Sequence, residues 1–154
     1  MKNKPRKSLI PKNAAATPQL IYLNKDVSVL EKISQSGSND VPVFISIKYI
    51  QHKHECFSEW SKVEMDAFWS FNTNVHNKTW QQVYQSGGKG DKTGLGYTVI
   101  DKQVYPESEL KNKLSDDITL FELRVTQRIR VHGFRMGAIF FICWLDKNHS
   151  LLGK

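Results

Sequence analysis

Residues 120–149, LFELRVTQRIRVHGFRMGAIFFICWLDKNH, decide the fold of this chain. Apolar and polar residues alternate through 121–125 and again through 128–132, and residues 138–145 are almost entirely apolar. Alternation with a period of two is typical of antiparallel strands that bury one face. The stretch therefore predicts three consecutive antiparallel strands, with Arg135-Met136-Gly137 forming the last hairpin turn.

The polar side of these strands is rich in cations. The residues that we expect on its exposed face are Glu122, Arg124, Arg128, Arg130 and His132. Guanidinium groups bind phosphate through paired hydrogen bonds, so this face suits a ligand that carries phosphate. Each residue taken singly fits an ordinary cross-strand ion pair on a solvated face equally well, and such pairs contribute less than about 1 kcal/mol.

Two helices are predicted between residues 58 and 85. Residues 58–75 carry apolar side chains at steps of three and four, which is the spacing of a helix face. The cap of this helix is either Ser58 or Ser61, and Ser61 stands three residues before a glutamate, as in a capping box. Thr79 has the same spacing to a glutamine and predicts a short helix over 80–85.

Shorter elements complete the predicted domain. Residues 41–50 and 97–100 predict strands, and residues 106–114 predict a short helix. The order of strand, helix, helix and three strands predicts an α+β fold, with helices packed on one face of a small antiparallel sheet. The other face, which carries the arginines, is then expected to stay open to solvent or ligand.

The N-terminal segment is strongly basic. The chain has a net charge of +7, and no acidic residue precedes Asp26. We predict a flexible basic arm over residues 1–18, followed by a single domain over 19–154 with its compact core at about 41–149. The arm either binds nucleic acid through nonspecific phosphate contacts or is simply a solvated leader.

Apolar runs in the chain are short. None reaches the roughly 18 residues that a membrane span needs. The N-terminus also lacks the apolar segment of a secretory signal, and Cys56 and Cys143 are expected to be reduced packing residues. We therefore expect a cytoplasmic protein without membrane contact.

A glycine-rich stretch over residues 87–96, GGKGDKTGLG, predicts a surface loop. The spacing of a phosphate-binding P-loop is absent from it. Lys89 and Lys92 could still contact a nucleic-acid backbone, and Arg135 is a third candidate for such a contact.

Histidines near the strand ends allow two interpretations. Asp146 and His149 could orient each other for acid–base chemistry after the third strand. They could instead bind a metal ion together with His52 and His54, whose imidazoles alternate toward one side of a strand end. Because no cysteine or carboxylate completes a recognisable zinc spacing, we predict neither a metal site nor a cofactor.

The C-terminal strands resemble those of the small RelE/ParE-type toxins of toxin–antitoxin systems. Residues 121–124, Phe-Glu-Leu-Arg, are similar to the strand of that family that ends in an arginine, and residues 128–131 are similar to the arginine-containing strand that follows. Residues 138–145 resemble the apolar third strand of the family, and His149 stands where the family places a catalytic acid in a short tail.

The resemblance implies a RelE-like β-α-α-β-β-β fold and an endoribonuclease that cleaves mRNA, often on the ribosome, with an antitoxin protein as its partner. Metal-independent cleavage of RNA needs a base, cations that stabilise the phosphorane, and an acid for the leaving oxygen. Glu122 or a histidine could be the base, and His149 or His132 the acid. The candidate catalytic residues are Glu122, Arg124, Arg128, Arg130, His132 and His149.

Other functions fit the same residues. Some members of the superfamily act on DNA gyrase, so the fold alone does not fix the target. The basic face could also serve a non-catalytic module that binds nucleic acid, or a protein-interaction domain whose cations pair with an acidic partner.

Overall fold

The computed structural model of the protein describes residues 37–87 and 94–153, which contain a five-stranded sheet with the order β1-β5-β4-β3-β2. The strands are β1 (Phe44–Ser46), β2 (Thr98–Val99), β3 (Leu120–Arg124), β4 (Arg130–Met136) and β5 (Ile139–Asp146). The helices are α1 (Lys62–His76), α2 (Trp80–Gln85) and α3 (Glu109–Lys113), with 3₁₀ turns at Phe57–Glu59 and Lys102–Val104. Within the two ranges, no helix is long and apolar enough to cross a membrane. The predicted basic arm lies outside them.

The sheet is mixed rather than purely antiparallel. Strands β2 to β5 pair in antiparallel fashion, as predicted, but β1 lies parallel to β5, with Phe44 opposite Ile139 and Ser46 opposite Phe141. The alternation of a strand shows which residues face the core but not the direction of its neighbour. The α+β class is confirmed, and the direction of β1 corrects the antiparallel prediction.

The starts of α1 and α2 are set by capping boxes. In α1 the Ser61 hydroxyl accepts a hydrogen bond from the Glu64 backbone N–H at 3.3 Å, and the Glu64 carboxylate accepts one from the Ser61 N–H at 2.6 Å. Thr79 and Gln82 form the same reciprocal pair at the start of α2. Ser61 rather than Ser58 is therefore the cap, and the predicted helix over 80–85 is confirmed.

One face of the sheet packs against α1 and α2. Apolar side chains of the helices interlock there with inward-facing residues of β3, β4 and β5. The buried members of this layer include Phe71, Val75, Trp80, Val83, Phe121, Leu123, Val131, Phe140 and Ile142. The Trp80 indole N–H also donates to the Ala138 carbonyl at 3.0 Å, which ties α2 to the β4–β5 hairpin.

The opposite face is covered by the segment that leads into β3. Tyr105 and Leu114 of this segment are buried against the sheet, and the Tyr105 ring stacks on Trp144 with 4.7 Å between ring centroids. The expectation that this face is open to solvent is therefore wrong over β4. Arg130 is 9% exposed and His132 is fully buried.

The covering segment is held by a buried lysine. The Lys111 ammonium group donates to the carbonyls of Gln103 at 3.3 Å and Tyr105 at 2.8 Å, and it pairs with the Glu107 carboxylate at 2.6 Å. Lys111 is only 5% exposed, so its charge is neutralised by these contacts rather than by water. This arrangement fixes Tyr105 in place above the sheet.

A β-bulge changes the facing of β5. His132 pairs with Trp144 but its neighbour Gly133 pairs with Ile142, so Cys143 is an additional residue on β5. The additional residue turns Trp144 and every second residue after it to the face that carries His132. Asp146, opposite Arg130, comes to that face for this reason.

Candidate functional site

Side chains from β3, β4 and β5 meet in a buried polar group, which we name the strand-end cluster. It consists of Glu122, Arg130, His132 and Asp146. Glu122 lies opposite His132 in the β3–β4 pairing, and Arg130 lies opposite Asp146 in the β4–β5 pairing. Residues that are opposite each other in a sheet share a face, so the register alone brings these four together.

Polar side-chain atoms of the strand-end cluster approach one another closely. His132 Nε2 is 3.4 Å from Asp146 Oδ2 and 3.7 Å from Glu122 Oε2. Glu122 Oε1 is 3.8 Å from Arg130 Nε. The side chains of His132 and Asp146 are fully buried, whereas that of Glu122 keeps 12% of its surface exposed. Glu122 is therefore the carboxylate through which solvent reaches the cluster.

Asp146 is held in its charged form. Its Oδ1 accepts a hydrogen bond from the Ser150 backbone N–H at 2.7 Å. Burial acts to raise the pKa of this carboxyl, but the His132 ring and the backbone N–H groups of Ser150 and Leu151 outweigh that effect and hold the pKa below its usual value. The cluster thus contains a buried carboxylate.

The His132 ring is oriented by Tyr105. The tyrosine hydroxyl is 3.1 Å from His132 Nδ1, and the two rings meet edge to face. Burial is the main cause that raises the pKa of Tyr105 far above its usual value, so the hydroxyl keeps its proton. Nδ1 is therefore occupied by the tyrosine, and Nε2 points toward the carboxylates.

His54 and Glu55 lie at the edge of the strand-end cluster. One ligand atom of each lies within 4.8 Å of the other and of an Asp146 oxygen. Glu55 has a left-handed backbone, with φ of 43°, and its carboxylate accepts two hydrogen bonds from Asn148 at 3.1 and 2.5 Å. An uncommon backbone conformation fixed by such contacts is typical of functional sites.

A cleft of about 570 Å³ opens beside His54. It runs between residues 50–54, which include His52, and residues 106–109. Trp144 also lines it. The cleft provides a route from solvent to the imidazole that borders the strand-end cluster.

The structure brings together three of the predicted catalytic residues, Glu122, Arg130 and His132. Arg130 and His132 were expected on a solvated face, and their burial corrects that expectation. Arg130 Nη1 donates to the carbonyls of Thr126 at 2.7 Å and Ile129 at 3.1 Å, so part of its guanidinium group stabilises the β3–β4 turn.

Of the other predicted catalytic residues, Arg124 lies opposite Arg130 in the β3–β4 pairing, whereas Arg128 and His149 lie apart from the strand-end cluster. Arg124 ends β3 and donates to the Gly94 carbonyl at 3.4 Å. Arg128 is exposed in the turn before β4 and bonds the Asn148 side chain. His149 follows β5 with a left-handed φ of 55°, and no described hydrogen bond or ion pair joins it to the strand-end cluster.

The predicted nucleic-acid contacts are only partly described. Arg135 lies on the opposite face of the sheet, where its guanidinium group stacks over the Trp80 ring at 4.5 Å and donates to the Ser38 carbonyl at 2.6 Å. It joins the segment before β1 to the sheet. Lys89 and Lys92 lie outside the described residues.

Sequence reasoning missed Tyr105 and Glu55. It grouped Asp146 with His54 only in the alternative of a metal site, where His52 and His149 were the other partners. Tyr105 lies in a segment without clear periodicity, and no spacing links it to β4. Asp146 joins the strand-end cluster only through the bulge. The one available signal was Glu55, a carboxylate that directly follows His54 in the sequence.

Comparison of the chain with known protein families, with curated proteins and with solved structures finds no match. The resemblance to RelE/ParE-type toxins therefore stays a prediction from the sequence.

Proposed function

We propose that the protein is a RelE-like toxin that binds mRNA and cleaves it at the strand-end cluster, with an antitoxin protein as its partner. The observation that carries the proposal is the meeting of Glu122, Arg130 and His132 on adjacent strands. A carboxylate 3.7 Å from an imidazole and 3.8 Å from a guanidinium group supplies a base, a group that positions this base, and a cation. Phosphodiester cleavage by general acid–base catalysis uses these groups.

Glu122 is the best general base in this set. It is the carboxylate with solvent access, whereas His132 lies beneath Tyr105. His132 then acts by holding the carboxylate rather than by touching RNA.

The cations outside the strand-end cluster fit a role in RNA binding. Arg128 is exposed at the β3–β4 turn, and Arg124 lines a groove of about 470 Å³ together with Thr126, Ser70 and Asn74. Side chains that donate hydrogen bonds along a groove can hold the phosphates of a single strand. The chain's net charge of +7 favours such binding.

The burial of Arg130 and His132 favours a second candidate function. If these residues only stabilise the sheet, the protein is a non-catalytic module that binds RNA through Arg124, Arg128 and the basic arm. The two functions differ in whether bound RNA is shortened.

A cleavage assay on the full chain with end-labelled RNA separates them. We expect Glu122→Gln, which keeps the shape of the side chain, to reduce the cleavage rate by about 100-fold or more while RNA affinity changes less than threefold. Glu109→Gln is the matched control, because Glu109 is an exposed carboxylate on α3. We expect it to behave as the wild type.

The remaining outcomes are also decisive. Binding that weakens with salt but never shortens RNA would select the binding module. Cleavage that survives Glu122→Gln would remove the proposed base. Binding that ignores salt would contradict both functions.

A further inference from the structure

We propose that Tyr105 is a positioning residue for the strand-end cluster. Its hydroxyl donates a hydrogen bond to Nδ1 of His132 and so fixes the ring hydrogen on Nε2, where it faces Glu122 and Asp146. The position of this hydrogen is a property of the fold. Its use in orienting the base Glu122 rests on the proposed ribonuclease function.

The tyrosine hydroxyl is the donor in this contact. Its oxygen is 3.1 Å from His132 Nδ1, and the described residues offer it no second acceptor. Burial is the main cause that holds the pKa of Tyr105 far above its usual value, so the oxygen carries its hydrogen. Because a buried donor without an acceptor is costly, the hydroxyl donates to Nδ1. A ring nitrogen that accepts a hydrogen bond carries no hydrogen itself, which leaves Nε2 as the protonated nitrogen.

The carboxylates require the same hydrogen position. Nε2 of His132 is 3.4 Å from Asp146 Oδ2 and 3.7 Å from Glu122 Oε2. These two buried oxygens receive no hydrogen bond from any other described residue. A lone pair on Nε2 would be repelled by both oxygens, whereas a hydrogen on Nε2 is attracted to both. Burial acts to raise the pKa of Asp146, and the His132 ring is the largest of the causes that lower it, as expected of a donor on Nε2.

Tyr105 is itself held in a fixed orientation. Its ring stacks on Trp144, with 4.7 Å between ring centroids and 23° between the ring planes. The Lys111 ammonium group donates to the Tyr105 carbonyl at 2.8 Å. Because Tyr105 is only 2% exposed, water does not compete with its hydroxyl for Nδ1. One contact on the ring and one on the backbone thus direct the hydroxyl at the imidazole.

A hydrogen on Nε2 sets the orientation of the proposed base. Oε2 of Glu122 faces this hydrogen, and Oε1 lies 3.8 Å from Arg130 Nε. The carboxylate is therefore held from two sides, with 12% of its surface left open to a substrate. With the hydrogen on Nδ1 instead, the lone pair on Nε2 would push Oε2 away from this position. Tyr105 thus acts on RNA through His132 and Glu122 and does not touch it.

NMR of the ¹⁵N-labelled full chain tests the hydrogen position. The two ring nitrogens of a histidine differ in chemical shift according to which of them carries the hydrogen. At about pH 7.5 we expect the hydrogen of His132 on Nε2 and a lone pair on Nδ1. The His132 signals are assigned through contacts with the Tyr105 ring, whose centroid lies 5.5 Å away. A hydrogen on Nδ1 of the wild-type chain, alone or together with one on Nε2, would overturn the proposal.

Matched tyrosine variants test the role of the hydroxyl. Tyr105→Phe keeps the ring that stacks on Trp144 and removes the donor, so the Nδ1 signal of His132 should shift. Tyr49→Phe is the control, because it removes a hydroxyl from a tyrosine that packs on Phe134 and Phe141 of the same sheet. We expect it to leave the His132 signals unchanged. Identical His132 signals in wild type and Tyr105→Phe would show that the hydroxyl does not direct the ring.

RNA cleavage tests the role toward Glu122. Tyr105→Phe should lower kcat by about tenfold and change KM by about twofold or less, because it alters the base and no contact with RNA. Tyr49→Phe should cleave as the wild type does. An unchanged kcat, or a KM that changes as much as kcat, would contradict the positioning role. A wild-type chain that never cleaves RNA would remove the proposed function together with this role, whereas the NMR measurement would still decide the hydrogen position.

Discussion

Replacing Gly133 by alanine would put a methyl group where β5 leaves no room for it. A Cβ atom at this position would lie 1.8 Å from the Phe141 carbonyl oxygen and 2.9 Å from the carbonyl carbon. Both are backbone atoms, so no side-chain rotation can relieve the clash. Gly133 sits at the β-bulge that turns Asp146 toward His132, which makes it the residue on which the strand-end cluster depends.

The size of the effect follows from the movement required. The Phe141 carbonyl must move by about 1.2 Å, from 1.8 Å to the 3.0 Å below which real Cβ contacts are essentially never found. A shift of that size breaks two or three ladder hydrogen bonds, at about 1 kcal/mol each. Repacking of the overfilled core adds about 1–2 kcal/mol. We expect a loss of about 3–5 kcal/mol in the free energy of unfolding, a large part of what a domain of this size has.

Urea denaturation followed by circular dichroism measures this loss. With a slope of about 2 kcal/mol per M, the midpoint of Gly133→Ala should fall by about 1.5–2.5 M. Gly153→Ala is the control, because no described atom lies within 4 Å of its Cβ position and only its φ of 72° opposes a side chain. We expect a cost of about 1 kcal/mol there. Equal midpoints for the two variants would refute the role assigned to the bulge.

Three further predictions concern the rest of the described fold. Native protein at pH 8 should react with a thiol reagent at Cys56 and not at Cys143. Burial raises the pKa of Cys143 to about 12, whereas hydrogen bonds from the following turn lower the pKa of Cys56. Mass spectrometry of the labelled peptides checks this, and label found on Cys143 rather than Cys56 would contradict it. Lys111→Ala should lower the free energy of unfolding by about 2 kcal/mol, because buried carbonyls lose their donor, whereas Lys113→Ala, an exposed lysine on the same helix, should leave the urea midpoint unchanged. Ser61→Ala should cost about 1 kcal/mol through loss of the α1 cap, and an unchanged thermal midpoint would contradict that role.

Local features were predictable from the sequence because neighbouring residues set them. The capping boxes at Ser61 and Thr79 fix where two helices start, since their hydrogen bonds reach only three residues along the chain. The alternation over residues 121–125 likewise predicted which side chains of β3 face the helices. The α+β class follows from the order of these elements.

The candidate site was predictable only in part. Glu122, Arg130 and His132 were identified as polar residues on one side of a hairpin, and the β3–β4 register does place them together. Their burial was not predictable, because the segment that covers them has no periodicity that shows where it packs. Lys111 and Tyr105 secure that segment through contacts between residues that no sequence pattern joins.

The sequence by itself thus determined the local elements and the polar residues of the hairpin. Only the tertiary structure decided that β1 runs parallel to β5 and that the arginine-bearing face is covered. It also decided that Asp146 faces His132, because one additional residue in β5 reverses the alternation beyond Ile142. The physical reason is that the alternation of a strand shows which face each side chain takes only while the strand pairing is regular. A bulge depends on the pairing of two strands, so the sequence of one strand does not reveal it.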